Sequence, residues 1–402
     1  MKCLTLLLAV LVGVTMLYAD DGFLYGKVKT TDNKEFTGYI RWGTEETFWI
    51  DEFNAVKTDN AYFKLLSKKD RKLLSESHGD QGFKWFDIRI SKLSKSDFMH
   101  QFVCKFGDIK SIVLDDDTVM LTMKNGESFE VGDNSNDLGA KITIKDASFG
   151  KIVLRWSRIA SIEFMSPSKS REDERPLYGT VSTKEGSFTG FIQWDAEERL
   201  ASDELDGDTE DGQVSLVMGT IRSMEKKRKG LMVKTTDKQE LYLTGTNDVD
   251  DRNRGICVTG IDGVIVEIPW DMFQKVEFTD KAQKLPKYSD FISPQRLKGS
   301  VKTYSGDKYD GMIVYDLDEA WDYEALEGKD NDEIEYRIPF RQISSIEVND
   351  DATVIMLKND KKFELVSGQD VGERNQGILV MKDAKDKKPV YVTWDDCAVV
   401  TF

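Results

Sequence analysis

Hydrophobic and polar positions alternate along much of the chain, with the period of two residues that is typical of β-strands. The stretch FTGYIRWGTEE at 36–46 returns as FTGFIQWDAEE at 188–198 and, in blurred form, as YDGMIVYDLDE at 309–319. Each copy follows another alternating run across a short polar turn, DNK, KEG or SGD. The pattern predicts three β-hairpins, each followed by an acidic loop.

A second pattern, eleven residues long, occurs twice in each of the three copies. Its six occurrences start at residues 104, 154, 216, 268, 338 and 392. Large apolar residues stand at its first, third, sixth and ninth positions. These steps of two, three and then three again predict a strand, one turn of 3₁₀ helix and another strand, because a 3₁₀ helix has three residues per turn. Six small all-β units in three pairs are therefore expected.

A hairpin, two further strands and a 3₁₀ turn before the last strand resemble the SH3-like small barrel. The resemblance is one of topology, and such barrels serve many unrelated functions. The expected fold is all-β, with three tandem modules that are each a pair of SH3-like units and one helical insertion in the first.

The repeats and the composition of the connecting segments predict the boundaries of these modules. They are a signal peptide at 1–19, a first module at 20–164 with an insertion at 54–100, a linker at 165–176, a second module at 177–278, a linker at 279–296 and a third module at 297–402.

The insertion in the first module carries ten basic and six acidic residues within an acidic protein. Its segment 61–77 places Phe63, Leu66, Leu73 and Leu74 on one helical face. The sequence leaves two interpretations open. The helix either covers one end of a barrel or docks onto an acidic partner, which includes the acidic loops of the chain itself.

The N-terminus has the layout of a secretory signal peptide, with Lys2, an apolar run from Leu4 to Leu17 and a small residue, Ala19. The run is shorter than the stretch of about 20 apolar residues that spans a bilayer. We expect a secreted, periplasmic or cell-surface product with no transmembrane segment after cleavage. Three of the four cysteines remain after cleavage, and this odd number, together with the lack of glycosylation motifs, favours a bacterial source.

The net charge of −16 excludes nucleic acid as an expected partner, because binders of nucleic acid present a concentrated basic surface. The acidic loops instead offer oxygen ligands of the kind that calcium prefers. The candidate ligands are Glu197, Glu198, Asp203, Asp206 and Asp208. The alternative is a solvated acidic loop without a ligand, and no other cofactor is expected.

Aromatic residues next to these loops form a second candidate site. Trp49 and Trp321 are candidates for binding a sugar ring or a peptide, because no strand pattern assigns them to the core. Trp42, Trp194 and Tyr315 share a strand face with other apolar residues and are expected in the core.

Catalysis is not expected from this sequence. It contains no Ser/His/Asp, His-Glu-x-x-His or glycine-rich phosphate motif, and its two histidines are His78 and His100. Cys104, Cys257 and Cys397 stand where other copies have large apolar residues, which predicts a packing role.

The sequence thus predicts an exported, non-catalytic repeat protein that is an interaction or structural component of the cell envelope. Its expected partner is a protein or an envelope polymer. The alternative is a calcium-dependent or carbohydrate-binding surface protein. The oligomeric state stays open.

Overall fold

The computed structural model describes residues 20–57, 61–77, 101–115, 118–132, 137–171 and 173–402. The expected signal peptide and both histidines lie outside this part of the chain. Where the structure is described, no helix is long and apolar enough to cross a bilayer. The prediction of a mostly β protein is confirmed, and every strand pairing is antiparallel.

The first module forms one ten-stranded sheet. Its strands are β1 (Tyr25–Thr30), β2 (Glu35–Trp42), β3 (Glu52–Lys57), β4 (Gln101–Lys105), β5 (Ile109–Asp115), β6 (Thr118–Met123), β7 (Ser128–Gly132), β8 (Ile142–Asp146), β9 (Gly150–Leu154) and β10 (Ile159–Phe164). Their order across the sheet is β4-β3-β7-β6-β5-β10-β1-β2-β8-β9.

The second module contributes eight strands to another sheet and two strands to a separate hairpin. Its strands are β11 (Tyr178–Thr183), β12 (Ser187–Trp194), β13 (Glu204–Thr209), β14 (Gly212–Val217), β15 (Ile221–Lys227), β16 (Gly230–Thr235), β17 (Glu240–Leu243), β18 (Ile256–Thr259), β19 (Ile265–Ile268) and β20 (Phe273–Phe278). The hairpin is β13-β14, and the others have the order β17-β16-β15-β20-β11-β12-β18-β19.

The third module has a sheet with the order β27-β26-β25-β30-β21-β22-β28-β29. Its strands are β21 (Lys298–Thr303), β22 (Lys308–Val314), β23 (Ala325–Lys329), β24 (Glu335–Pro339), β25 (Ile343–Val348), β26 (Thr353–Leu357), β27 (Lys362–Leu365), β28 (Ile378–Met381), β29 (Val390–Val392) and β30 (Cys397–Thr401). The hairpin β23-β24 leaves this sheet and extends that of the second module, where β24 pairs with β19.

Counted within each module, the strand order of the eight-stranded part is the same three times: seventh, sixth, fifth, tenth, first, second, eighth, ninth. The third and fourth strands of each module are the variable part. They join their own sheet in the first module, stand alone in the second and join the neighbouring sheet in the third.

The predicted 3₁₀ turn is present in five of the six closing segments, at Phe106–Asp108, Trp156–Arg158, Met218–Thr220, Phe340–Gln342 and Trp394–Asp396. The segment after β19 forms a turn instead, in which the N–H groups of Met272 and Phe273 both donate to the carbonyl of Pro269, at 3.0 and 3.2 Å.

The core contains the aromatic residues that the strand pattern predicted. The rings of Trp42, Trp194 and Tyr315 are fully buried. Most buried apolar residues of the second and third modules form one continuous cluster, whereas most of those of the first module form another, which Tyr323 of the third module joins. The three cysteines of the described chain are buried and free, and burial raises the pKa of Cys257 to about 12.

The insertion is helical over a shorter range than predicted. A 3₁₀ turn at Phe63–Leu65 precedes the helix α1 (Lys68–Ser77). The break has a local cause, because Ser67 and Asp70 form a capping box with reciprocal hydrogen bonds of 3.0 and 3.2 Å. Leu66 and Leu74 are buried against the third module and not against the sheet of their own module.

Glycines face each other across the first hairpin of every module, in the pairs Gly26 and Gly38, Gly179 and Gly190, and Gly299 and Gly311. A Cβ atom on Gly179 would lie 2.2 Å from the carbonyl oxygen of Glu277, and one on Gly190 would lie 2.5 Å from that of Thr259. The backbones therefore approach closely at these glycines, and a side chain here would force the strands apart.

We expect Gly179→Ala to lower the free energy of unfolding by about 1–3 kcal/mol, because the new methyl group overlaps a backbone oxygen. Gly186→Ala, in the turn of the same hairpin, is the matched control, since a Cβ there meets no atom within 4 Å. Denaturant unfolding of both variants measures the difference. Equal stability of the two would contradict the close approach.

Candidate functional site

The three acidic loops, residues 43–51, 195–203 and 316–324, each follow the second strand of a module. The loop begins where the N–H of Trp42, Trp194 or Tyr315 donates to the carbonyl four residues later, at 2.8, 2.9 and 2.8 Å. Asp195 and Asp316 take left-handed φ values of 49° and 47° at the start of the turn. Aspartate tolerates this conformation better than most residues do.

One carboxylate closes each loop by accepting two backbone N–H groups. Asp51 accepts from Thr47 and Phe48 at 2.7 and 2.8 Å, Asp203 from Arg199 and Leu200 at 2.9 Å each, and Glu324 from Ala320 and Trp321 at 2.6 and 2.8 Å. These acids therefore have a local structural role before any ligand is considered.

The same three carboxylates also bind cations from other modules. Arg41 of the first module binds Asp203 with both guanidinium nitrogens, at 2.7 and 3.0 Å. Arg199 of the second module returns the contact by donating to Asp51. Each acidic loop thereby forms part of a contact between modules.

Lys57 at the end of β3 makes the corresponding contact with the third module. Its Nζ lies 2.6 Å from Glu324 and 2.9 Å from Asp318. Both carboxylates are buried, and the lysine side chain is 13% exposed, so water reaches this ion pair only at its margin. This contact is made from strand β3 and not from the helical segment of the insertion.

A second row of aspartates lies beneath the loops. Asp137, Asp248 and Asp370 each accept, through their backbone carbonyl, the ring N–H or hydroxyl of the core aromatic at the loop start, at 3.0, 2.9 and 2.7 Å. Their side chains accept the backbone N–H of Asn54, Asp206 and Glu327, at 2.5, 2.7 and 2.7 Å. These three aspartates were not among the predicted site residues, and no local sequence pattern connects them with the acidic loops.

In the second module, an arginine contact accompanies these acids. Arg254 donates its backbone N–H to Asp195 Oδ1, and its guanidinium lies 3.1 Å from Asp195 Oδ2 and 2.7 Å from Glu197. Glu198 is buried, and its Oε2 has no hydrogen-bond partner. Burial, with the nearby charge of Asp248, raises the pKa of Glu198 to about 8.

In the third module, three carboxylates converge. Oxygens of Asp316, Glu319 and Asp370 all lie within 4.8 Å of one another. Burial first, and mutual repulsion as well, raises the pKa of Glu319 and Asp370 well above the usual range. Gln376 in the third module corresponds to Arg254 in the second. The backbone N–H of Gln376 donates to Asp316 Oδ1, as that of Arg254 donates to Asp195 Oδ1.

The five predicted calcium ligands of the second module have separate contacts. Asp203 binds Arg41, Glu197 binds Arg254, and Asp206 accepts the hydroxyl of Ser215. Asp208 pairs through its backbone with Thr244, and Glu198 lies beneath the loop. Over the ranges that the structure covers, the group of three acids close enough to share an ion is the one in the third module.

The surroundings of Trp49 and Trp321 do not match the sugar-binding or peptide-binding role predicted for these residues. Trp49 is fully buried, with its ring 4.5 Å from that of Tyr288 in the second linker and its Nε1 donating to Asp20. The prediction of a ligand-binding Trp49 is corrected here, because a ring enclosed in this way offers no face to a ligand. Trp321 is partly buried, and Arg296 lies over its ring at 5.1 Å.

Fold and site together define a mostly β protein of antiparallel sheets with buried acidic loops at the contacts between its modules. No protein-family model, curated protein or solved structure matches the chain.

We expect Lys57→Met to lower the free energy of unfolding by about 3–5 kcal/mol, because Asp318 and Glu324 would keep buried charges without a cation. The matched control is Lys308→Met, whose partner Asp310 and own side chain are both exposed. That change should cost less than about 1 kcal/mol. Chemical denaturation of the two variants measures both effects, and a small loss for Lys57→Met would argue against a buried ion pair.

The raised pKa of Glu198 predicts a pH effect. The native state holds this proton up to about pH 8, whereas the unfolded chain releases it near its ordinary pKa of about 4.3. The native state therefore binds more protons between about pH 5 and pH 8, and its stability falls as the pH rises. Glu198→Gln should flatten this part of the stability profile, while Glu185→Gln at an exposed position should keep the wild-type slope. Melting temperatures of the wild type and the two variants, measured from pH 5 to pH 8, test this prediction. An equal dependence of the melting temperature on pH in all three proteins would contradict it.

Proposed function

We propose that the chain is an exported, non-catalytic protein that acts as an interaction or structural component of the cell envelope. Export is supported by the layout of residues 1–19. A non-catalytic role is supported by the structural use of the acids that close the loops, Asp51, Asp203 and Glu324, each of which binds both backbone N–H groups and a cation from another module.

The proposal includes the finer architecture, in which each module is a pair of SH3-like small barrels. Five 3₁₀ turns between consecutive strands, at equivalent places in the modules, support it. The strand order common to the three sheets supports a repeat of whole modules.

The observation on which the interaction role rests is the strand addition between two modules. Strand β24 of the third module pairs with β19 of the second, with Ile265 opposite Arg337 and Glu267 opposite Glu335. Strand β9 of the first module has the same place in its sheet as β19, and it is the last strand at that edge. An edge strand is a template for pairing with another chain.

Exposed apolar side chains mark the β9 edge. Val153 within the strand is 53% exposed, and Phe149 just before it is 70% exposed. Backbone pairing with an edge requires an extended polypeptide, which favours a protein over an envelope polymer as the partner.

A second candidate function is cation-dependent binding at the envelope surface. The convergence of Asp316, Glu319 and Asp370 favours it, because clustered carboxylate oxygens suit calcium. Carbohydrate binding has weaker support, since Trp49 is buried and the face of Trp321 is shared with Arg296.

We expect Val153→Lys to abolish capture of a protein partner from an envelope extract, because a charge would stand on the pairing edge. Val113→Lys is the matched control, since Val113 is 43% exposed on β5, between two paired strands. Both variants should keep their stability within about 0.5 kcal/mol. Equal capture by wild type and Val153→Lys would contradict an interaction through β9.

A further inference from the structure

We infer that Asp316, Glu319 and Asp370 form a binding site for one divalent cation of the calcium class in the third module. This inference rests on the second candidate function above and moves the expected site from the second module to the third.

The separation of the three carboxylates fits a single ion. Their oxygens lie within 4.8 Å of one another. Calcium binds oxygen at about 2.3–2.6 Å, so two ligands on opposite sides of one ion lie about 5 Å apart. The observed spacing therefore permits all three acids to reach the same ion without a change of backbone.

Hydrogen bonds hold two of the acids in place. Asp316 accepts the backbone N–H of Gln376 and, at 3.1 Å, the side-chain amide of Gln369. Asp370 Oδ2 accepts the backbone N–H of Glu327 at 2.7 Å. Metal ligands are usually oriented in this way by the groups behind them.

The third acid supplies the independent observation that points to a ligand. Oε2 of Glu319 is buried from solvent and has no hydrogen-bond partner. Gln376, whose N–H contacts Asp316, also has a buried side-chain oxygen, Oε1, without a partner. A buried acceptor that remains unsatisfied is costly, and a bound cation satisfies it.

The second module shows what a positive charge does at the same place. Its acids Asp195, Glu198 and Asp248 correspond to the three acids of the third module, and the guanidinium of Arg254 binds Asp195. Gln376 occupies the position of Arg254, because both donate their N–H to the first aspartate of the loop. The third module thus keeps three acids and has the neutral side chain of Gln376 at the position of Arg254.

The first module has fewer acids at the corresponding place. Gly43 takes the place of the loop aspartate, so its cluster is reduced to Glu46 and Asp137. Burial raises the pKa of Asp137 to about 7, and a proton is enough to neutralise such a pair near neutral pH. The third module differs from both, because it has the loop aspartate that the first module lacks and a neutral glutamine at the position of Arg254.

The site also adjoins a contact between modules. Asp318 lies between Asp316 and Glu319 in the chain, and its carboxylate binds Lys57 of the first module at 2.9 Å. An ion that holds Asp316 and Glu319 fixes the turn that presents Asp318. Cation binding should therefore stabilise the whole chain and raise its melting temperature.

The test is titration of the full chain, freed of metal with a chelator, with calcium chloride. Calorimetry should show one site, and calcium should raise the melting temperature. Glu319→Gln should weaken binding by about 10- to 100-fold or more, as expected when a metal site loses an essential group. Glu198→Gln, the same change at the corresponding acid of the second module, should leave calcium binding unchanged.

Gln376→Arg gives a second test that does not depend on removing an acid. It copies Arg254 into the third module, and it should abolish calcium binding while the metal-free variant melts at or above the wild-type temperature. Binding that persists in both Glu319→Gln and Gln376→Arg would overturn this site and leave the cation-binding candidate intact. A wild-type chain that shows neither heat nor a melting shift with calcium would overturn both.

Discussion

The neutralisation of buried carboxylates is the constraint on which this structure depends. An ionised acid removed from water is tolerated when N–H groups and a cation replace the lost hydration. Asp51, Asp203 and Glu324 each receive two backbone N–H groups from their own loop and a cation from another module. The same atoms therefore determine both the shape of a loop and the packing between modules.

Differences among the three copies follow from the same constraint. The loop starts with glycine in the first module, with an aspartate bound by Arg254 in the second and with an aspartate bound by Gln369 and Gln376 in the third. Each version balances buried charge in its own way, by removing an acid, by adding Arg254 or by leaving the acids to bind protons or a metal ion. The same strand order therefore positions acids with different partners in the three modules.

Much of the fold was predictable because its signals are local. Alternation at a period of two predicted that Trp42 and Trp194 lie in the core, and both rings are fully buried. The candidate site was predictable only in part. The acidic loops were recognised, but strands β23 to β27 separate Asp370 from Glu319 along the chain, and no local pattern connects the two acids.

By itself, the sequence determined the strands, the 3₁₀ turns and the composition of the acidic loops, since these depend on side-chain periodicity and turn chemistry within a few residues. Only the tertiary structure decided where the variable hairpins pair, that Tyr288 covers Trp49, and which acids converge. The physical reason is that burial and charge neutralisation depend on residues far apart in the chain. Their proximity arises only when the sheets pack together.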